Sequence, residues 1–131
     1  MIGIDIIEVK RMKKALKSNP RIVDRFLTDN EKAYVELKSK NSADKKYPAN
    51  LYSICGIFAA KEAILKAFGV GITSGYGFLD IEISHNKFGA PLVKLSKKLQ
   101  QLSKTNKYGE VVVSISHDGE YSIAEAFINR L

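Results

Sequence analysis

The chain has 131 residues, 45% hydrophobic and 27% charged, with a formal net charge of +7 and one cysteine. These values are ordinary for a globular domain, and no apolar run approaches the roughly 20 residues that cross a bilayer. Cys55 has no partner for an intramolecular disulfide, and the chain opens directly on a strand without a basic leader, so the expected location is the cytoplasm.

The elements follow from periodicity. Met1 to Ile7 alternates, with Ile2, Ile4 and Ile6 on one face and Gly3, Asp5 and Ile7 on the other, as in a strand. Val9, Met12 and Leu16 then fall at helical spacing beneath a basic surface, and Asn19-Pro20 ends that helix. A short helical turn follows through Ile22, Val23 and Phe26. Thr28-Asp29-Asn30-Glu31 is a capping box that opens a helix from about Asp29 to about Leu37. Lys38 to Tyr47 reads as a polar loop. Pro48 and Asn50 introduce a long helix ending at Gly69 or Gly71. In the second half, Phe78 to Ser84 alternates as a strand, Asn86 to Pro91 turns, and Leu92 to Leu95 returns. Lys97 to Lys104 predicts a short helix built on Leu99 and Leu102. Val111 to His117, an Asp118-Gly119 turn and Tyr121 to Ile128 read as a tight hairpin. With no repeat or linker, residues 1–131 read as a single α+β domain in which an antiparallel sheet packs on the long helix.

Charge is unevenly spread. Residues 1–25 hold seven basic side chains against Asp5, Glu8 and Asp24, a net +4, and six lysines lie between Glu82 and Glu110 with no acid. Such faces suit an acidic protein, a nucleic acid or a polyphosphate, although lysine-rich surfaces also serve solubility alone.

Three blocks carry chemistry-bearing residues. A carboxylate in an apolar strand is costly to bury unless something binds it, and Gly3 leaves room beside Asp5 for a ligand or another backbone; pairing with a lysine is the plainer alternative. On the long helix, Ile57, Ala60, Ile64 and Phe68 centre an apolar arc. Glu62 and Lys66 sit one turn apart at its edge, an arrangement that also suits an exposed ion pair. Lys61 falls inside the arc, so its ammonium either snorkels out or meets an anion across the helix–sheet interface. His117 shares the strand parity of Val111, Val113 and Ile115, as a core histidine would, while Ser114 and Ser116 take the other face. Two carboxylates without a Cys/His cluster suit magnesium, which takes one or two protein carboxylates with water and phosphate, rather than zinc. Gly69-Val70-Gly71 follows a helix rather than a strand, which excludes a P-loop.

Taken in order, Gly3-Ile4-Asp5-Ile6-Ile7-Glu8-Val9 with Lys10-Arg11, Phe58-Ala59-Ala60-Lys61-Glu62-Ala63 with Lys66-Ala67 and Gly69, and Ser114-Ile115-Ser116-His117 with Tyr121 resemble the motif set of the holo-acyl-carrier-protein synthases. These are the small 4′-phosphopantetheinyl transferases. Gly89-Ala90-Pro91 resembles their Gly-x-Pro turn, and the likeness spans essentially the whole chain. It implies the α+β fold of that family and transfer of 4′-phosphopantetheine from coenzyme A to a serine of apo acyl carrier protein, releasing 3′,5′-ADP, in support of fatty acid biosynthesis. It also implies a homotrimer with active sites at subunit interfaces.

Carried over by motif, Asp5 and Glu62 would hold a magnesium ion (Mg2+) that also binds the coenzyme A pyrophosphate. Glu62 and Lys66 would be the catalytic pair, with Lys66 neutralising the phosphates or protonating the leaving group. Whether the serine proton passes to Glu62 or to a water on the metal stays open. Lys61, Lys66, Ser116 and His117 would contact coenzyme A. Arg11 and Arg21 match the family's carrier-contacting arginines, and acyl carrier proteins are acidic, so the basic first helix is a natural docking face. Ile57 departs from the family, which usually has arginine there. If that arginine binds coenzyme A phosphates, this chain binds more weakly or uses another base such as Lys61.

Two other classes compete. A small basic nucleic-acid-binding module would explain the charge but not Asp5 or Glu62, and Tyr34, Tyr47 and Tyr52 are not interleaved with basic residues as a stacking platform requires. A purely structural subunit would leave the carboxylates idle. Neither nucleic acid nor membrane is the expected partner.

Overall fold

The computed structural model of the chain describes residues 1–38 and 46–131, so most of the polar loop expected between Lys38 and Tyr47 lies outside the described residues. The elements are β1 (Ile2–Glu8), α1 (Val9–Ser18), α2 (Asp29–Lys38), α3 (Ala49–Phe68), β2 (Ile81–His85), β3 (Pro91–Leu95), α4 (Lys97–Thr105), β4 (Tyr108–Asp118) and β5 (Tyr121–Arg130). Short 3₁₀ turns cover Pro20–Arg25, Ile72–Ser74 and Phe78–Asp80. Among the described residues β1, β5 and β4 form one antiparallel sheet with β5 central, and β2 pairs with β3 in a separate antiparallel ribbon. The one sheet read from the sequence is therefore two.

α3 packs on the three-stranded sheet with one side and meets α1 and α2 with others, so its sequence is apolar nearly all round. It ends where Gly69 adopts φ +72 and donates to the carbonyls of Leu65 and Lys66. The expected capping box opens α2: Thr28 N donates to Glu31 Oε1 at 2.8 Å, and Glu31 N donates to Thr28 Oγ1 at 3.3 Å.

Small residues set the distance between helix and sheet. Ala59, Ala60, Ala63, Ala124 and Ala126 are all buried. A Cβ on Gly3 would overlap the Ala63 carbonyl oxygen and lie 2.7 Å from Ala67 N, so only glycine lets β1 approach α3 this closely. Towards the other end of α3, a Cβ on Gly56 would meet His117 Cε1 at 2.8 Å and Ile115 Cγ2 at 3.0 Å. In β1 the parity is unusual for a half-buried strand. Ile2, Ile4 and Ile6 are 65%, 54% and 60% exposed, while Gly3, Asp5 and Ile7 face the helix side.

Two of the boundaries that differ from the sequence reading have a visible cause. β2 starts at Ile81, because Asp80 Oδ2 accepts from Gly77 N at 2.9 Å and draws Phe78–Asp80 into a 3₁₀ turn. The hairpin turn is Gly119-Glu120 rather than Asp118-Gly119, since Asp118 pairs with Tyr121 and Gly119 takes φ +53. Glu120 fastens that turn: its carbonyl accepts from Val9 N at 2.8 Å and its Oε2 from Tyr47 Oη at 2.8 Å.

The Gly3 contact is with backbone, which cannot rotate away. Gly3→Ala is expected to destabilise by at least the ~1–3 kcal/mol typical of overpacking, and by more than Gly56→Ala, whose neighbours are side chains. Thermal unfolding of both variants measures this; a Gly3→Ala chain with the wild-type Tm would contradict the reading.

Candidate active site

Asp5 lies two residues beyond Gly3 on the same strand face, so the close approach of β1 carries its carboxylate to the edge of α3. There Lys66 Nζ bonds Asp5 Oδ1 at 3.1 Å and the Ile4 carbonyl oxygen at 2.9 Å. The Asp5 side chain is 17% exposed and that of Lys66 53%. Lys66 thus bridges from helix to strand, and its place in the last turn of α3 suits a cation on the helix dipole. Glu62, one turn earlier, is half-buried. Burial first, and the nearby Asp5 charge second, push its carboxyl above the ordinary glutamate range, with Lys66 opposing.

Asp5 and Glu62 line a groove of about 540 Å³. Its apolar wall includes Met12 from α1, Phe26 beyond the first 3₁₀ turn, Phe58 from α3 and Phe78. The Phe26 ring meets Phe58 edge-on at 5.1 Å and Phe78 at 6.4 Å. Arg11 and Arg25 share the lining. The arrangement offers two carboxylates and a lysine beside an apolar trough with basic flanks. Among the described residues no three His, Cys, Asp or Glu side chains gather as a metal cluster. Two converging carboxylates, one of them disfavoured in its charged form, fit a hard divalent cation whose shell is completed by water and phosphate.

The expected Lys61 contact with coenzyme A has no place in this geometry. Lys61 is fully buried; its Nζ donates to Glu31 Oε1 at 2.6 Å and to the Phe26 carbonyl oxygen at 2.5 Å. The anion it meets is part of the protein, so it does not stand in for the arginine absent at Ile57, which is itself core. Burial pulls the Lys61 ammonium below its usual range, with Glu31 opposing.

His117 lies elsewhere. Its Nδ1 is 2.6 Å from Ser122 Oγ, and it lines a second cavity of about 170 Å³ with Ser53, Gly56, Ile57, His85 and Gly89. In that cavity His85 stacks on Tyr34 at 4.1 Å, and its buried Nδ1 has no hydrogen-bond partner among the described residues. Burial lowers the His85 pKa. Ser116 is exposed, of opposite strand parity to His117, and lines neither cavity. Arg21 is also outside the groove, held by Asp24 at 3.5 Å. Sequence reading missed Arg25, the three phenylalanines and the Tyr34–His85 stack. Of these, only Arg25 carried a signal, its place in the basic first segment.

The family model of the 4′-phosphopantetheinyl transferase superfamily matches residues 1–125. The holo-[acyl-carrier-protein] synthase of Clostridium botulinum (strain Alaska E43 / Type E3) is 42% identical over 127 residues, covering 97% of this chain and 94% of its own length. The chain belongs to the holo-[acyl-carrier-protein] synthases of that superfamily. Solved synthases agree. The Helicobacter pylori synthase in complex with coenzyme A superimposes with a TM-score of 0.80 at 36% identity, over 98% of this chain and 100% of that one. The Bacillus anthracis synthase in complex with CoA (3′,5′-ADP) gives 0.77 at 33% identity, over 99% and 96%. The α+β architecture described above is the fold of these synthases.

Proposed function

We propose that this chain, acting as one catalytic domain, transfers the 4′-phosphopantetheine group of coenzyme A to a serine hydroxyl of apo acyl carrier protein and releases 3′,5′-ADP. The observation that carries the reading is the meeting of Asp5, Glu62 and Lys66 at a groove flanked by Arg11 and Arg25. Asp5 and Glu62 are the residues that would hold magnesium, which when bound supplies charge neutralisation at the pyrophosphate. In the transfer, the serine oxygen bonds to the β-phosphorus and the bond from that phosphorus to the bridging oxygen breaks. The serine proton passes either to Glu62 or to a water at the site. Lys66 balances negative charge on the departing 3′,5′-ADP. The acidic carrier docks on the basic first segment, with Arg11 and Arg25 in the groove lining and Arg21 outside it.

His117 and Ser116 remain the proposed coenzyme A contacts away from the metal. The exposed outer sheet face carries Ile2, Ile4, Ile6, Ile123 and Phe127. Glu125, opposite Ile4, interrupts this face, but an exposed sheet face with this many isoleucines is what a homo-oligomer covers, and a homotrimer is the assembly proposed. Val111, Val113 and Ile115, on the opposite face of β4, pack towards the core. A cytoplasmic location and service to fatty acid biosynthesis go with this reading. Light scattering is expected to give a trimer; a fully active monomer would contradict the assembly.

Incubation with coenzyme A, magnesium and apo acyl carrier protein, followed by mass spectrometry, tests the reaction. Wild type is expected to add one phosphopantetheine to the carrier, and Asp5→Ala and Glu62→Ala none. Arg11→Ala is expected to raise the KM for carrier more than that for coenzyme A, by less at high salt. No carrier mass gain with wild type would overturn the transfer, and normal turnover by Asp5→Ala would remove that carboxylate from the site.

A further inference from the structure

Lys61 and Glu31 form the most deeply buried ion pair among the described residues, with both side chains at 0% exposure. Burying two charges costs several kcal/mol per ion, and well-packed apolar residues in the same space are often as stable or more so. Stability is therefore a poor reason for the pair. Its connections point to another. Glu31 Oε1 accepts from Lys61 Nζ at 2.6 Å and from Thr28 N at 2.8 Å, while Oε2 accepts from Ile83 N at 2.7 Å. Lys61 Nζ also holds the Phe26 carbonyl oxygen at 2.5 Å. One ion pair thus ties together α3, the chain leading into α2, and β2.

Both ends of this strut stand next to the groove. Lys61 precedes Glu62 on α3, and Phe26, whose carbonyl it grips, supplies a groove-lining ring and follows Arg25. Phe26 itself has 3% exposure, and its ring is wedged between Phe58 and Phe78. The bond from Lys61 to the Phe26 carbonyl therefore fixes the distance between the carboxylate-bearing helix and the wall that carries Phe26 and Arg25.

We propose that Glu31 and Lys61 are positioning residues that set the width of the groove for the carrier protein, without touching either substrate. The proposal rests on the transfer reading above. An apolar replacement fills the space but cannot hold the Phe26 carbonyl, so the wall loses its fixed place while the metal-type carboxylates and the His117 cavity keep theirs.

The test is steady-state transfer by wild type, by the volume-matched double variant Glu31→Leu/Lys61→Met and by Glu31→Gln, with the KM for carrier and for coenzyme A and the Tm measured for each. The double variant is expected to keep or raise its Tm and to raise the carrier KM by about tenfold, with the coenzyme A KM changed by less than about twofold. Glu31→Gln, which keeps the shape but not the charge, is expected to show the same split to a lesser degree, and carries the test if the double variant does not fold. A carrier KM equal to wild type in a folded variant, or a parallel rise in both KM values, would overturn the positioning role while leaving the transfer intact. Wild type that transfers nothing would overturn the transfer reading, and this inference with it.

Discussion

The approach of β1 to the backbone of α3 at Gly3 is the constraint on which the site depends. With no Cβ at that position, the strand lies directly against the Ala63–Ala67 turn of the helix. Asp5 then arrives beside the next helical positions that project towards it, Glu62 and Lys66. Moving the strand outward by the radius of one methyl group would draw Asp5 from Lys66, whose Nζ now bridges Asp5 and the Ile4 carbonyl. The small residues along the interface extend the same logic, since Gly56 lets His117 and Ile115 of β4 settle on the other end of the helix. One helix thus holds the carboxylate site near its end and part of the second cavity further back.

Adjacent residues on that helix meet opposite fates. Glu31, the acid that Lys61 engages, accepts from three donors and is enclosed with its counter-charge. Glu62 lies in half-buried surroundings beside a second carboxylate, and burial first, then the Asp5 charge, raise its proton affinity while Lys66 opposes. A fully satisfied buried charge fixes a structure; a carboxylate held near another is an arrangement that the proposed divalent cation would relieve. The contrast separates the two acids by role, and it separates Lys61 from Lys66 in the same way.

Much of this was legible in the sequence because the signals are local. The capping box at Thr28 to Glu31, the proline and glycine limits of α3, and the parity that put Gly3 and Asp5 on one face needed only near neighbours. Lys61 was recognised as misplaced on its helix, yet its partner lies 30 residues away and had already been assigned a local role as the capping acid of α2. Glu31 fills both roles, and nothing within a helical turn reveals the second. The groove was hidden for the same reason: Phe26, Phe58 and Phe78 come from three segments with no common spacing. Alternation located β2 and β3 but could not say that they pair apart from the main sheet, because that choice is made by long-range packing.

The central claim is that Asp5 and Glu62 together form a divalent-cation site, and direct binding tests it without any turnover. Calorimetric titration of magnesium into the purified chain, alongside Asp5→Asn and Glu62→Gln, separates the possibilities. Saturable binding by wild type that both substitutions abolish is the predicted result; binding that persists undiminished in both variants would contradict it.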